Sequence, residues 1–557
     1  MADLAAIEAR LTGPGGPFEI AVEDVLGARM PVFKNRLRSL RSLLELSSAQ
    51  GEKEYLVHRD RRISYDEHLR LVAKLAGVLR DRFGVRKGDR VAILAENGPE
   101  WILSFWAAQA LGAVAVGLNG WWVGDEIRYG VRDCDPKLLI ADRRRLERVS
   151  ASELRVPVLE IESDFERLLA RADDAPLAEV EICEDDPAAI LYTSGTTGRP
   201  KGATNTQRNI LALLGLQFFH GARMMLAAAA DGRAPTGPAR PPCALVTTPL
   251  FHVSGLYTGA IVMLASGAKT VWRSGRFDPV DVMRLIERER VTSWGPMGTM
   301  VHRVVHHPDV AKYDLSSVAS IGSGGAPMSP ELQQKIRAVF PTAQASLGLG
   351  YGLTECTALA TLAFGEELAR HPTTAGRPLP TVQLEIRGAD GRALAEGETG
   401  EICVRSPLVM AGYWRNPQAS AESIAADRWL RTGDVGRIEQ GRLYVDSRAR
   451  DLILRGAENI YPVEIEQRLE AHPDVLEAAV VGVDHEELGQ EVKAIVVPRP
   501  GARVSAAQLA AWVAEALAAF KVPAHWQLRA EPLPRNATGK VLKNVLVGAA
   551  GNAFVAE

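Results

Sequence analysis

The sequence predicts an α/β protein of two domains, a large N-terminal one of layered sheets and helices and a small C-terminal α/β one. Three observations carry this expectation. At 557 residues the chain is too long for one core of ordinary size. Strand-like runs alternate with helix-like runs through its first four-fifths. A shorter α/β pattern then restarts after residues 446–451.

Ile63 followed by Ser64-Tyr-Asp-Glu67 forms a hydrophobic staple and capping box that open a helix over 65–83. Val91-Ala-Ile-Leu-Ala95 reads as a buried strand, 99–110 as a buried helix stopped at Gly112, and Ala113-Val-Ala-Val-Gly117 as the next buried strand. That division removes the apolar run 102–118 as a membrane span, since neither half approaches the roughly 20 residues a span needs. Residues 137–141, 244–249 and 291–294 repeat the strand theme. Residues 227–242, rich in Ala, Gly, Pro and Arg, read as a surface excursion, and 388–399 as a turn-rich hairpin before a strand at 400–404. The boundary divides the chain into 1–447 and 448–557, the latter with a helix at 463–471, strands at 478–483 and 491–497, and a helix at 505–520. No internal repeat is visible.

A hydrophobic content of 46% with 24% charged residues is that of an ordinary globular protein, and a net charge of -3 without a Lys/Arg block gives no support to a nucleic-acid partner. The Arg-rich pieces at 36–41 and 143–148 read as solvated faces. Five scattered cysteines without Cys-x-x-Cys argue against structural zinc and a disulfide framework. The N-terminus carries Asp3, Glu8 and Glu19 and lacks the basic-then-apolar pattern of a secretory signal, so a reducing, cytoplasmic setting without a membrane span is expected. A homodimer is compatible with the sequence, but no segment specifies one.

The most informative stretch is Ile190-Leu-Tyr-Thr-Ser-Gly-Thr-Thr-Gly-Arg-Pro-Lys-Gly-Ala203, whose composition is unsuited to a core element. Thr193, Ser194, Thr196 and Thr197 supply hydroxyl donors, Gly195, Gly198 and Gly202 let backbone N–H groups turn toward an anion, and Lys201 supplies a point charge. This is a polyphosphate loop suited to ATP. It is not a Walker A loop, because Lys201 lies between Pro200 and Gly202 and is not followed by Ser or Thr. Gly322-Ser-Gly-Gly-Ala-Pro327 places Pro where a dinucleotide fingerprint needs its third Gly.

The run Thr-Ser-Gly-Thr-Thr-Gly-x-Pro-Lys-Gly resembles the phosphate-loop signature of the adenylate-forming superfamily, which includes acyl-CoA synthetases, adenylation domains of peptide synthetases and firefly luciferase. Further matches follow in the superfamily's order: Gly324-Gly-Ala-Pro327, Tyr351-Gly-Leu-Thr-Glu355, Arg431-Thr-Gly-Asp434, Arg448-Ala-Arg-Asp451 with Glu458-Asn-Ile-Tyr-Pro462, and Pro534-Arg-Asn-Ala-Thr-Gly-Lys540. The resemblance covers nearly the whole chain. It implies a large adenylate-forming domain, a small mobile C-terminal domain, and ATP, Mg²⁺ and CoA as reaction partners.

The resemblance also assigns roles. Gly325, Ala326, Pro327, Tyr351 and Gly352 join the phosphate loop in holding the nucleotide, with Tyr351 stacking on adenine and Thr354 at the α-phosphate. Glu355 is the metal anchor, a lone carboxylate of the kind Mg²⁺ accepts while keeping waters and phosphate oxygens. Asp434 accepts from both ribose hydroxyls, and Arg448 also reaches the nucleotide. Lys540 bridges substrate carboxylate and α-phosphate during adenylation, then leaves as the small domain turns about a hinge at Arg450. The more usual hinge residue is Asp or Lys. That turn brings Gly456, Ala457 and Glu458 toward a pantetheine tunnel. His252 resembles an aromatic gate between acyl pocket and tunnel; a general-base role is the competing reading.

By the same analogy Phe251, His252, Gly255, Trp294, Gly324 and Gly350 border the acyl pocket, with no Lys or Arg for a second carboxylate and no Asp for an amino group. Room left by glycines at 348 and 350 favours a medium- to long-chain fatty acid, with an aryl acid close behind. Transfer to a carrier-protein thiol, oxidation as in luciferase, and a non-catalytic ATP-binding regulator remain as alternatives. Retention of Lys201, Glu355, Asp434 and Lys540 together speaks against the last.

Overall fold

The computed structural model describes residues 3–193, 200–232, 240–325, 328–448, 451–455, 458–485, 488–517, 519–536 and 539–548. Two large sheets dominate. One has, in spatial order, Gly412–Tyr413, Lys201–Thr206, Pro187–Thr193, Val114–Gly117, Arg90–Leu94, Leu138–Ala141 and Val158–Glu160. The other runs Arg377–Pro378, Thr361–Phe364, Leu347–Tyr351, Ser320–Gly324, Ser293–Trp294, Cys243–Val246, Lys269–Trp272, Glu54–His58 and Arg61–Ser64. Their inner strands are parallel, as expected where helices cover both faces.

Alternation along the strands builds the layers. Val91 and Ile93 join a central core with the helices Tyr65–Arg82, Pro99–Ala110 and Gln207–Ala230, whereas Ala92 and Leu94 face the helix Gly124–Cys134 on the outside. In the second sheet Leu245, Val271 and Ile321 pack on the helices Pro279–Glu289, Gly298–Val305 and Pro330–Val339. The central helix Pro99–Ala110 is buried on all sides, Glu100 apart. It spans the expected residues, and Gly112 follows at φ 65°, the left-handed conformation that lets the chain turn directly into Val114–Gly117. Ser64 caps Tyr65–Arg82 by accepting from the Glu67 N–H at 3.2 Å, a contact worth about 1 kcal/mol.

Gln207–Ala230 is, among the described residues, the one helix long and apolar enough to cross a membrane. Its first turn is nevertheless buried and polar: Gln207 bonds Gln109 and the Leu40 N–H, Arg208 pairs with Asp185, and Asn209 donates to the Pro407 carbonyl at 2.7 Å. The helix continues to Ala230, so the first part of the expected excursion 227–242 is helical; 233–239 lie outside the described residues.

A four-stranded sheet, Gln383–Arg387, Gly400–Arg405, Leu430–Glu439 and Arg442–Arg448, follows, with 388–399 as its first hairpin connection. After Arg448 a separate sheet with its own core begins at Ile453–Arg455 and centres on the long pair Val475–His485 and Gly489–Pro498, covered by Pro462–Glu470 and Ala506–Ala514. The helix Ala506–Ala514 is shorter than the expected 505–520; a 3-10 turn, Ala519–Lys521, follows in the same segment.

Candidate active site

The phosphate-loop segment is a hairpin whose stems are core strands. Pro187–Thr193 and Lys201–Thr206 pair antiparallel with Thr193 opposite Lys201, and Ile190, Leu191, Tyr192, Gly202 and Ala203 are buried. The expectation of a segment unsuited to the core therefore fails for both flanks. Ser194, Gly195, Thr196, Thr197 and Gly198 lie outside the described residues. Gly202 sits in the strand, where a Cβ would meet Ile190 Cγ2 at 2.7 Å; close packing, not anion contact, accounts for it. The Tyr129 hydroxyl donates to the Pro200 carbonyl at 3.0 Å, fixing the return of the loop.

Lys201 Nζ lies 5.1 Å from the ring centroid of Tyr413, a cation–π contact. Tyr413 reaches it from the neighbouring strand, through the pairing of Gly412–Tyr413 with Ala203 and Thr204. The same Tyr413 donates its hydroxyl to Glu355 Oε1 at 2.9 Å. Burial, and then the Glu355 carboxylate, push the Tyr413 phenol well above its ordinary range. Glu355 stands in the 3-10 turn Thr354–Cys356, and its carbonyl accepts from the Met410 N–H at 2.9 Å. Asn205, fully buried, holds this turn: its amide donates to Thr357 Oγ1 at 3.0 Å and to the Thr354 carbonyl at 3.4 Å, while accepting from the Tyr257 hydroxyl at 2.8 Å. Neither Tyr413 nor Asn205 stood out in the sequence. An Asn within a buried strand, where its propensity is poor, was the available signal.

Tyr351 closes the strand Leu347–Tyr351 and donates to Asp434 Oδ2 at 2.9 Å. Its phenol is pushed far up by burial and then by the Asp434 charge. Gly352 permits the next turn, since a Cβ there would lie 2.2 Å from the Ala358 carbonyl oxygen. Asp434 is set by Gly433, at φ 71°, and by Thr432 Oγ1, which accepts the Asp434 N–H at 3.1 Å while donating to Ile402. Arg448 lies opposite Asp434 in the adjoining strand.

Lys540 enters from the small C-terminal sheet on a loop closed by the Arg535–Val541 bridge. Gly539 adopts φ 78°, and a Cβ there would lie 2.2 Å from Thr299 Oγ1, so the loop seats directly against the start of Gly298–Val305. Lys540, Tyr351, Gly352, Asp434, Gly325 and Phe251 line one cleft of about 1850 Å³. Thr354 and Glu355 belong to the turn that follows Gly352 and Leu353 on its wall.

With that convergence in place, the comparisons decide the family. Residues 45–414 match the AMP-binding enzyme family, and 464–540 match the AMP-binding enzyme C-terminal domain. The chain belongs to the AMP-binding enzymes. It is 34% identical over 493 residues to a feruloyl-CoA synthase of Amycolatopsis sp, covering 87% of this chain and 94% of that one. It is 34% identical over 495 residues to the long-chain-fatty-acid–CoA ligase FadD13 of Mycobacterium tuberculosis, covering 87% and 93%. The o-succinylbenzoate CoA synthetase MenE of Bacillus subtilis, solved with the acyl-adenylate intermediate OSB-AMP, superposes with a TM-score of 0.77 at 29% identity, covering 92% and 98%. This AMP-binding enzyme is an AMP-forming acyl-CoA synthetase of the adenylate-forming superfamily, with the two-domain α/β fold expected from the sequence.

The acyl side of this AMP-binding enzyme departs from expectation at several positions. Trp294 is core: it packs near Phe340 and donates Nε1 to Thr247 Oγ1 at 3.2 Å, leaving Thr247 on the cleft wall. Gly255, Gly324 and Gly350 are small for packing, since Cβ atoms there would meet Pro249 O at 2.1 Å, Gly350 O at 2.9 Å and Leu359 Cδ1 at 2.6 Å. Gly350 still borders the cleft, but the room argued from it belongs to Leu359; at Gly348 a Cβ would make only ordinary contacts. Phe251 lies against His252, ring centroids 5.0 Å apart, and burial depresses the His252 imidazole to about 4. Asn97 braces this loop, donating to the Thr248 carbonyl and accepting from the Leu250 N–H, each at 2.9 Å. Ala326, Pro327, Arg450, Gly456 and Ala457 lie outside the described residues; Glu458 begins the strand Glu458–Ile460.

Proposed function

We propose that this acyl-CoA synthetase activates an apolar acid, a medium- to long-chain fatty acid first and an aryl acid second. The observation that carries this reading is the apolar group among the residues that line the cleft, Phe251, Met297, Met300, Leu332 and Leu349. The two methionines adapt to a flexible chain; Arg273 and Arg303 line the same cleft, the first paired with Asp281 at 2.8 Å and the second lying over the Phe277 ring. The relatives themselves divide between feruloyl and long-chain fatty acyl substrates.

Two anions must meet in the first step, so the site has to offset their repulsion. Lys540 bridges the acid's carboxylate and the α-phosphate; a carboxylate oxygen attacks phosphorus, pyrophosphate leaves, and acyl-adenylate forms. Asp434 takes the ribose hydroxyls and Tyr351 the adenine. Glu355 would hold Mg²⁺: among the described residues no cluster of three or more His, Cys, Asp or Glu exists, and a lone carboxylate fits an ion that keeps waters and phosphate oxygens. Mg²⁺ there would neutralise charge between the phosphates. The domain boundary lies at 447/448, and rotation about Arg450 then exchanges Lys540 for residues 456–458. The CoA thiol attacks the acyl carbon and AMP leaves. His252, its imidazole depressed to about 4 by burial, is a weak base and acts as a gate. The free cysteines Cys134, Cys183, Cys243, Cys356 and Cys403 support a cytoplasmic location.

The test is mass spectrometry of products from purified protein with ATP, Mg²⁺, CoA and a panel of fatty and aryl acids. Acyl-CoA with stoichiometric AMP, strongest for a fatty acid, is expected. Preference for an aryl acid overturns the first choice, and acyl-adenylate without thioester points to a carrier-protein acceptor.

A further inference from the structure

The peptide group joining Gly539 to Lys540 is held at both ends by side chains. Its N–H donates to Asn536 Oδ1 at 2.9 Å, and its carbonyl accepts from Arg535 Nη1 at 2.8 Å. Arg535 is itself tied back, with Nη2 3.3 Å from Glu477 Oε2, and that oxygen also accepts the Leu533 N–H at 3.1 Å. Glu477 stands on Val475–His485, an edge strand of the small sheet paired along its length with Gly489–Pro498. A strap thus runs from a rigid strand, through a planar guanidinium with fixed donor directions, to the carbonyl immediately before Lys540. With this peptide plane held, and with the Lys540 carbonyl accepting from the Asn536 N–H at 2.9 Å, both peptide groups that flank the Lys540 Cα are tied, and so is the direction in which its Cα–Cβ bond leaves. Neither Arg535 nor Glu477 belongs to the hydrophobic core, their side chains being 25% and 18% exposed.

We propose that Arg535 is a positioning residue for adenylation: by clamping the 539–540 peptide to Glu477 it aims the Lys540 ammonium at the reacting anions, with no part in thioester formation. The inference rests on the role assigned to Lys540 above. Lysine cannot replace Arg535, because one ammonium does not reproduce the planar fork that spans carbonyl and carboxylate.

The test separates the half-reactions in Arg535→Gln, Arg535→Lys, Lys540→Ala and the double variant Arg535→Gln/Lys540→Ala. Formation of acyl-adenylate from ATP and acid is expected to fall about a hundredfold in Arg535→Gln, the scale of a misplacement near 1 Å, with KM values little changed. Thioester formation from preformed acyl-adenylate stays at the wild-type rate, Arg535→Lys recovers only part of the loss, and the double variant adenylates no more slowly than Lys540→Ala alone. Equal loss of both half-reactions, accompanied by a lowered Tm, overturns the proposal in favour of a structural role, as does a further loss in the double variant. Were wild-type protein to form no adenylate from any acid, the functional reading would fail instead, whatever the variants did.

Discussion

The Tyr413 hydroxyl is bonded to the Glu355 carboxylate at 2.9 Å while its ring lies beneath the Lys201 ammonium, so one side chain joins the phosphate-loop hairpin to the proposed metal anchor. Tyr413→Phe keeps the ring and removes the hydrogen bond. A hydrogen bond to a charged group is worth about 1.5–3 kcal/mol, so adenylation is expected to fall roughly tenfold or more. The Mg²⁺ concentration for half-maximal rate should rise as well. A titration of acyl-adenylate formation against Mg²⁺ checks both; an unchanged Mg²⁺ dependence would remove the metal from Glu355.

Lys540→Ala should reduce adenylation to a small, still measurable residual rate while leaving thioester formation from synthetic acyl-adenylate largely intact. Rapid-quench assays of each half-reaction measure this. Parallel loss of both would contradict the two-conformation reading, because Lys540 would then be needed in the state that it is supposed to have left.

Gly539→Ala places a methyl group against Thr299 Oγ1 and forces a non-glycine residue to φ 78°. The left-handed conformation costs about 1–2 kcal/mol and the contact adds to it. Docking of the Lys540 loop should weaken and adenylation slow, with the thioester step spared. Adding Thr299→Ala removes the clashing oxygen and is expected to restore part of the rate. No rescue would mean that backbone strain alone accounts for the loss.

Glu470 lies in the small domain with its carboxyl raised to about 8, first by burial and then by Glu466, against the opposing pull of Arg535 and the Ala478 N–H. Raised means protonated in the fold while the unfolded chain ionises near 4.5. The folded state therefore binds more protons between about 4.5 and 8, and stability falls with rising pH across that window. Glu470→Gln removes this slope: its Tm advantage should grow from pH 5 to 8 and level off above. Melting curves at four pH values test it, and parallel wild-type and variant curves would refute it.

The sequence made the large elements legible where local chemistry was strong. Ser64 and Glu67 announced the helix Tyr65–Arg82, and Gly112 announced the turn after Pro99–Ala110. Tyr351, Asp434 and Lys540 line one cleft; the sequence brought them together only through the resemblance of their motifs to the superfamily, since by residue type alone a tyrosine and a lysine read as core and surface. The acyl side was less legible. Gly350 and Trp294 have the composition of a pocket, but packing neighbours elsewhere in the chain decide what a Cβ or an indole meets, and Leu359 and Phe340 are those neighbours. Tyr413 and Asn205 were invisible for the opposite reason: each matters through partners 58 and 149 or 152 positions away.

The hairpin that carries the phosphate loop is anchored twice, by Thr193 opposite Lys201 and by the strand that bears Tyr413. Its stems are therefore held whatever joins their tips. For protein engineering the two anchors make the stems a fixed frame, from which the grip on a triphosphate can be varied through the charge of Lys201 apart from fold stability, and apart from the choice of base, which the proposed function gives to Tyr351.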